Sequence, residues 1–228
     1  MILWKVCTSI LAKNTDEAIR KIRYASQLSD LLEIRLDAME SWDLDKIITN
    51  TNLPLIITYR RPEEGGLKKN ITDEERIDIL KGAIDKGVEY IDIELDIENS
   101  LKSYILKERH NTKIIISKHF FEPVEEKILH RYADNIFSLG ADIGKVIGYA
   151  SSWIDNFMYF NIVKKYSEKG HAIICFAMGH YGKPSRIMSP ILGAVWTYAA
   201  LKKHEKAAPG QLSIDTLKRI WEDLSNEH

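Results

Sequence analysis

Ile91-Asp92-Ile93-Glu94-Leu95-Asp96 alternates apolar and acidic residues without a break, and Glu33-Ile34-Arg35-Leu36-Asp37 does the same with both signs of charge. A period of two puts the charged side chains on one face of a strand and the apolar ones on the other. Each stretch is followed by a helical pattern, and strands joined by helices form a parallel sheet. A parallel strand covered by helices on both faces should be apolar throughout. The charged faces therefore look onto something other than a helix layer, and the inside of a closed barrel meets that condition. Charges there cost several kcal/mol each unless they are paired or bound to a ligand. A structural ion-pair network is one explanation; a polar active site is the better one.

Outward from these two strands, the same alternation of strand and helix runs from end to end. Short segments rich in Ile and Val predict strands near residues 4–10, 31–37, 53–60, 90–95, 113–119, 142–149, 171–178 and 192–198. Asn14-Thr15-Asp16-Glu17 can cap a first helix, and Thr72-Asp73-Glu74-Glu75 offers a capping box for another. Glu122-Pro123 precedes an amphipathic run to Ser138, and residues 152–168 and 213–224 continue the pattern. No linker rich in Pro, Gly or Ser divides the chain. An open doubly wound sheet is the rival architecture, but eight units favour closure. The expectation is an α/β protein, a (β/α)8 TIM barrel forming a single catalytic domain over residues 1–228.

The formal net charge is −1, from 32 basic and 33 acidic residues, so no field draws the chain to nucleic acid or to an anionic membrane. Met1-Ile2-Leu3-Trp4 is too short for a signal peptide, and no apolar run approaches the ~18–20 residues of a membrane span. Cys7 and Cys175 lie in apolar, strand-like runs without CxxC spacing, which reads as reduced packing residues of a cytoplasmic protein. The histidines form no HExxH or comparable metal pattern, and no metal site is expected. A phosphate loop fails on spacing: Gly140-x3-Gly144-Lys145 is one residue short of GxxxxGK, and Val146 stands where Ser or Thr would bind magnesium.

Barrel enzymes carry their chemistry at the C-terminal ends of the strands. Those ends present Ser9, then Glu33, Arg35 and Asp37, then Arg60, Glu94, His119, Lys145 and Met178. Glu64-Gly65-Gly66 follows Arg60, and Ser185-Arg186 follows Met178. A lysine, a histidine, carboxylates and several arginines suit a carbonyl substrate bearing a carboxylate: arginine forks grip the anion while a desolvated amine attacks the ketone. Lys145 stands in a strand that is otherwise uncharged beyond Asp142. It either pairs with a core acid such as Glu94, reaches the mouth along its aliphatic stem, or serves as the nucleophile, with burial and neighbouring arginines disfavouring its charged form. His119 ends the preceding strand, where a histidine can move protons at neutral pH.

Taken together, these pieces resemble the type I 3-dehydroquinate dehydratases, the Schiff-base-forming family of the shikimate pathway. The resemblance rests on Glu33-Ile34-Arg35-Leu36-Asp37, Thr58-Tyr59-Arg60 with Glu64-Gly65-Gly66, Tyr90-Ile91-Asp92-Ile93-Glu94 and Ser117-x-His119. It continues through Gly140-Ala141-Asp142-Ile143-x-Lys145, Met178-Gly179-x-x-Gly182-x-x-Ser185-Arg186 and Ala208-Pro209-Gly210-Gln211. Each is weak alone, and in this order they are specific from Lys5 to the C-terminus. The resemblance implies dehydration of 3-dehydroquinate to 3-dehydroshikimate. Lys145 would form the imine with the C3 ketone, and His119 would be the general base and later the acid. Glu64 would orient His119 and favour its charged form. Arg186 and Gln211 would bind the carboxylate near Ala208, while Glu33, Arg35 and Arg60 would hold the ring hydroxyls. Met178 would line the site, as would Ser9, with Thr8 competing for that register. No metal or organic cofactor is implied, and a homodimer, frequent in the family, would accord with it.

Three departures stand out. Phe120 and Phe121 follow His119 where the family usually has Asp and a longer loop. Phe176 stands where Met is common, and Ala207 where a Ser often touches the carboxylate. The chain also starts almost at its first strand, which predicts a barrel without the N-terminal hairpin that closes the floor in many members, and so a more open bottom. The alternatives are another Schiff-base barrel lyase of aldolase type, which would not need the Arg186–Gln211 pair, and a barrel that has lost catalysis and serves as a binding module.

Overall fold

A computed structural model describes residues 4–226. Strand β1 (Val6–Ile10) leads into α1 (Thr15–Ala25), β2 (Leu31–Arg35) into α2 (Leu44–Ile48), β3 (Leu55–Thr58) into α3 (Asp73–Asp85) and β4 (Tyr90–Glu94) into α4 (Asn99–Lys107). The second half repeats the unit: β5 (Lys113–His119) and α5 (Glu126–Ser138), β6 (Ile143–Tyr149) and α6 (Asn156–Glu168), β7 (Ile173–Met178) and α7 (Lys183–Met188), β8 (Thr197–Ala200) and α8 (Ile214–Ser225). The strands are parallel neighbours in chain order, and β8 pairs with β1, so the sheet curls into the (β/α)8 barrel.

Local signals start the helices where the sequence predicts them. The Asn14 side chain accepts from the Glu17 N–H at 3.0 Å. Thr72 and Glu75 form a reciprocal capping box at the start of α3. Side-chain parity then divides the strands. Ile34, Ile57, Ile93, Ile116, Val146 and Cys175 point outward and pack with Ile22, Leu80, Leu129, Ile162 and Tyr166 of the helices. Each fully buried aliphatic side chain in this layer contributes about 1.5–3 kcal/mol. Inward residues form a second cluster, in which Cys7, Leu31, Ile56, Ile115, Ile174, Trp196 and Tyr198 plug the lower half of the barrel. The inward charges sit above this plug. Below it, the N-terminal strand ends surround a depression lined by Lys5, Asp30, Tyr90, Lys113, Asp142 and Trp196, open to the outside.

The eighth strand departs from its predicted place. Residues 192–198 read as a strand because they are apolar, but β8 starts only at Thr197. Ala194 N–H turns back to the Ser189 carbonyl at 2.9 Å, and Gly193 adopts φ +112°, so the first part of the run is a turn that closes α7. Seven ladders join the strands. Among the described residues no ladder joins β7 to β8; the segment just before β8 is tied to β7 by the Val195 N–H, which donates to the Ile173 carbonyl at 3.0 Å.

Candidate active site

Lys145 lies midway along β6, level with Ser117 of β5 in the ladder, and is 4% exposed. Its Nζ donates to Asp92 Oδ2 at 2.8 Å and stands 3.7 Å from Glu33 Oε1. The ring centroid of Tyr198 is 4.2 Å from the same nitrogen. The ammonium thus does pair with a core acid, Asp92 instead of Glu94, and the nearest charges are carboxylates rather than guanidiniums.

Glu94 is engaged elsewhere. Its Oε1 accepts from Arg60 Nη1 at 2.9 Å and from the Arg61 N–H at 3.0 Å, while Oε2 takes Arg76, which reaches in from α3. Arg60 also donates through Nη2 to Asp92 Oδ2 at 2.8 Å and through Nη1 to Ser117 Oγ at 2.7 Å. Ser117 Oγ in turn donates to Asp92 Oδ1 at 2.6 Å. Burial alone would raise the Asp92 carboxyl, but Arg60 and Lys145 hold it far below the ordinary range. Glu33 follows the same rule more weakly, lowered by Lys145 and Arg35 against its burial. It accepts from Ser9 Oγ at 2.7 Å and Thr58 Oγ1 at 3.0 Å. Ser9 therefore faces inward, and Thr8 bonds outward to Ser29.

Two loops complete the mouth on this side. Arg35 grips Asp37 through Nε at 2.8 Å and Nη2 at 2.7 Å, and also reaches the Gly65 carbonyl. Asp37 in turn accepts from the N–H groups of Arg60 and Leu67, so it anchors the β3–α3 loop and does not line the cavity. Gly66 is required there, because a Cβ would collide with the Arg60 carbonyl. Glu64, in this loop, accepts from the His119 N–H at 3.0 Å and lies 2.9 Å from His119 Nδ1 through the same Oε2. Glu64 thus holds the ring as expected, but the net balance at His119 does not favour the charged imidazole. Burial, Arg60 and Lys145 hold the His119 pKa well below the usual value, leaving the ring neutral. Burial also raises the Glu64 carboxyl, against the pull of Arg60 and Lys118.

The opposite wall comes from the β7 and β8 ends. Arg186 of α7 is buried, its guanidinium lies 4.4 Å from the Phe176 ring centroid, and Nη2 donates to the Pro209 carbonyl at 3.2 Å. Its Nε has no partner, and no carboxylate pairs with it among the described residues. Burial pushes its pKa down to about 9. Gln211 Oε1 accepts from the Ala207 N–H at 2.7 Å. Gly210, at φ +75°, packs on the Gly179 carbonyl where no side chain would fit, which clamps the two loops together. Ser185 is fully buried and serves the backbone: its Oγ accepts from the Ala177 N–H.

Most of these groups converge on one cavity. Lys145, His119, Glu64, Ser9, Glu33, Arg35, Arg60, Met178, Arg186, Ala208 and Gln211 line it together, as do Ala207 and Phe176. Glu94 and Asp37 lie behind it. The sequence reading missed Tyr198, Ile147 and Phe121, which supply apolar wall, and Arg76 and Lys118, which act on the lining from outside. Tyr198 carried a signal, as an aromatic of inward parity, but the misplaced strand hid it. Cys7 and Cys175 are buried among apolar groups that push both thiols up.

Fold and cavity together define a (β/α)8-barrel enzyme. Residues 6–227 match the family model described as Type I 3-dehydroquinase, and the chain belongs to that family of hydro-lyases. A 3-dehydroquinate dehydratase of Methanococcus maripaludis (strain C5) is 34% identical over 220 residues, covering 95% of this chain and 98% of the relative. One from Pyrococcus abyssi is also 34% identical, over 96% of this chain and 98% of its own. Among solved structures, a type I 3-dehydroquinate dehydratase of Clostridium difficile has the same fold, with a TM-score of 0.84 at 24% identity over 96% of this chain and 91% of that one.

Proposed function

We propose that the barrel dehydrates 3-dehydroquinate to 3-dehydroshikimate, the shikimate-pathway reaction of its family, through an imine on Lys145. The observation that carries this reading is Arg186, a buried cation without an anionic partner among the described residues, in the same cavity as an ion-paired lysine and a neutral histidine. A substrate carboxylate supplies the missing charge, and a guanidinium fork binds it with two parallel hydrogen bonds. Gln211 adds an amide beside it. Glu33, Arg35, Arg60 and Ser9 face the opposite side of the ring and offer both donors and acceptors to its hydroxyls.

The Lys145 amine, once deprotonated, attacks the C3 carbonyl; the carbinolamine loses water and leaves a protonated imine. His119, neutral at the start, removes a proton from the adjacent carbon through Nε2, and the electron pair flows into the iminium. The resulting enamine expels the C1 hydroxyl, which takes that proton from His119 and leaves as water. Hydrolysis of the iminium then frees product and Lys145. The Tyr198 ring stands against the nitrogen that carries positive charge before and after attack, an arrangement worth about 0.5–2 kcal/mol to a cation.

Incubation with 3-dehydroquinate and borohydride, followed by peptide mass spectrometry, tests the reading. A reduced adduct on Lys145 is expected, and Lys145→Ala should remain folded without turnover. Labelling of another lysine, or of none, overturns it.

The wider reading is a cytoplasmic enzyme that works as one barrel, binds a small molecule rather than nucleic acid, and pairs with a second copy. Two buried thiols and the near-zero net charge support the first parts. Among the described residues no helix is long and apolar enough to cross a membrane. An exposed apolar patch of Trp153, Ile154 and Phe157, with Tyr181 packed edge-on against Trp153, supports the pairing.

A further inference from the structure

Lys118 precedes His119 on β5, and its side chain has the opposite parity, so it leaves the barrel interior. It bends over the strand end instead of entering solvent. Its Nζ donates to Glu64 Oε1 at 3.0 Å and to Asp96 Oδ2 at 2.6 Å, and lies 5.6 Å from the Phe120 ring centroid. Its side chain is 14% exposed, and ordering a lysine to that degree costs entropy that an idle surface residue does not give up. Glu64 Oε2 meanwhile holds both the N–H and Nδ1 of His119. Phe120, the other neighbour of His119, has no polar group to share this task.

We propose that Lys118 is a positioning residue: by fixing one oxygen of Glu64, it keeps the other on the His119 main chain and ring, so that Nδ1 holds the proton and Nε2 stays free to accept one. The proposal rests on the reading of His119 as the general base. The charges facing His119 are Glu64 from the β3–α3 loop, Arg60 beyond β3, Lys145 of β6, Asp92 of β4 and Glu33 of β2. Glu64 itself faces Arg60, Lys118 and His119, and Lys118 faces Glu64 and Asp96. Without Lys118, one of two cations that keep the buried Glu64 ionised is lost. A protonated Glu64 can donate to Nδ1 and push the ring proton to Nε2, which removes the base. Loss of the same cation also makes protonation of the ring easier. Both changes move the acid side of the activity profile to higher pH.

The test is the pH profile of kcat/KM for Lys118→Met and Lys118→Arg. For the methionine variant the acid limb should shift up by about one pH unit, which is about a tenfold loss on that limb, shrinking toward pH 9. Arginine should restore the wild-type limb, because it supplies the same charge. If the methionine variant does not fold, Lys118→Gln serves, with the same shift expected. A limb that overlays the wild type, or a loss equal at all pH values and not rescued by arginine, overturns the proposal. His119→Ala separates the two levels. If it turns over normally, the base assignment fails; if it is inactive while the Lys118 limb does not move, only the role of Lys118 fails.

Discussion

Asp92→Asn removes one charge and almost no volume from the centre of the barrel. Asp92 is fully buried, and its Oδ2 receives both Arg60 and Lys145 at 2.8 Å. At an effective dielectric of about 20, each of those contacts is worth about 6 kcal/mol in gross Coulomb attraction at 2.8 Å. Desolvation of the carboxylate, no longer required, offsets much of that. The amide also turns either an N–H toward a cation or a weaker acceptor. Breaking a buried pair in this way costs roughly 3–5 kcal/mol, because the cations stay behind without a partner. For a chain of this size that lowers Tm by about 10 °C. The sign of the pH dependence is fixed as well. The Asp92 pKa is depressed in the folded state, so its contribution is full above the unfolded carboxyl value of about 4 and fades as pH falls below it. Thermal melts of wild type and variant at pH 7 and at descending pH measure both effects. A variant within about 1 kcal/mol of wild type at pH 7, or a gap that does not narrow in acid, refutes the assignment of Asp92 as the hub of the interior charges.

Three further outcomes concern the histidine and the surface. His119→Ala should accumulate the Lys145 imine, visible by mass under borohydride, with dehydration slowed by about 10²–10⁴-fold. Because burial holds the pKa of His119 below 6.5, the acid limb of the wild-type kcat/KM profile should lie below that value, and a limb above it contradicts the neutral ring. Ile154→Glu, on the most exposed member of the apolar patch, should convert a dimer to a monomer in sedimentation velocity; a dimer that persists, or a wild-type monomer, refutes pairing through that face.

The barrel was legible because its inward and outward residues differ in kind. Glu33, Arg35, Asp92 and Glu94 alternate with Ile34 and Ile93, and that parity survives any shift in strand limits. Strand ends were less visible where composition does not change at the boundary, as in the apolar run 192–198, which mixes a turn with β8. The lining residues were readable from their strand-end positions, but their partners were not. Pairing depends on how neighbouring strands stagger and on what arrives from outside the sheet. Arg76 comes from a helix and occupies Glu94, which leaves Asp92 for Lys145; no pattern in α3 announces an arginine aimed inward. The direction of the His119 shift was equally hidden, since it follows from burial and from Arg60 and Lys145 converging across the barrel rather than from Glu64 beside it.

The poorly joined seam between β7 and β8 has a consequence for how the molecule is made. β8 is held by four register pairs to β1, whose residues leave the ribosome before those of the other strands, while among the described residues no ladder joins it to β7 and the segment just before it reaches β7 through the Val195 N–H. During synthesis seven strands can therefore add one by one to a growing open sheet, while the β1 edge waits for almost the entire chain to emerge. The contact that closes the barrel spans the greatest sequence separation in the sheet, and contacts of that kind form late. Until then, Val6 and Cys7 present an unpaired strand edge to other nascent chains. A chain cut short before Thr197 would keep that edge exposed for good, so truncated products should be removed by aggregation or proteolysis rather than persist as partial barrels.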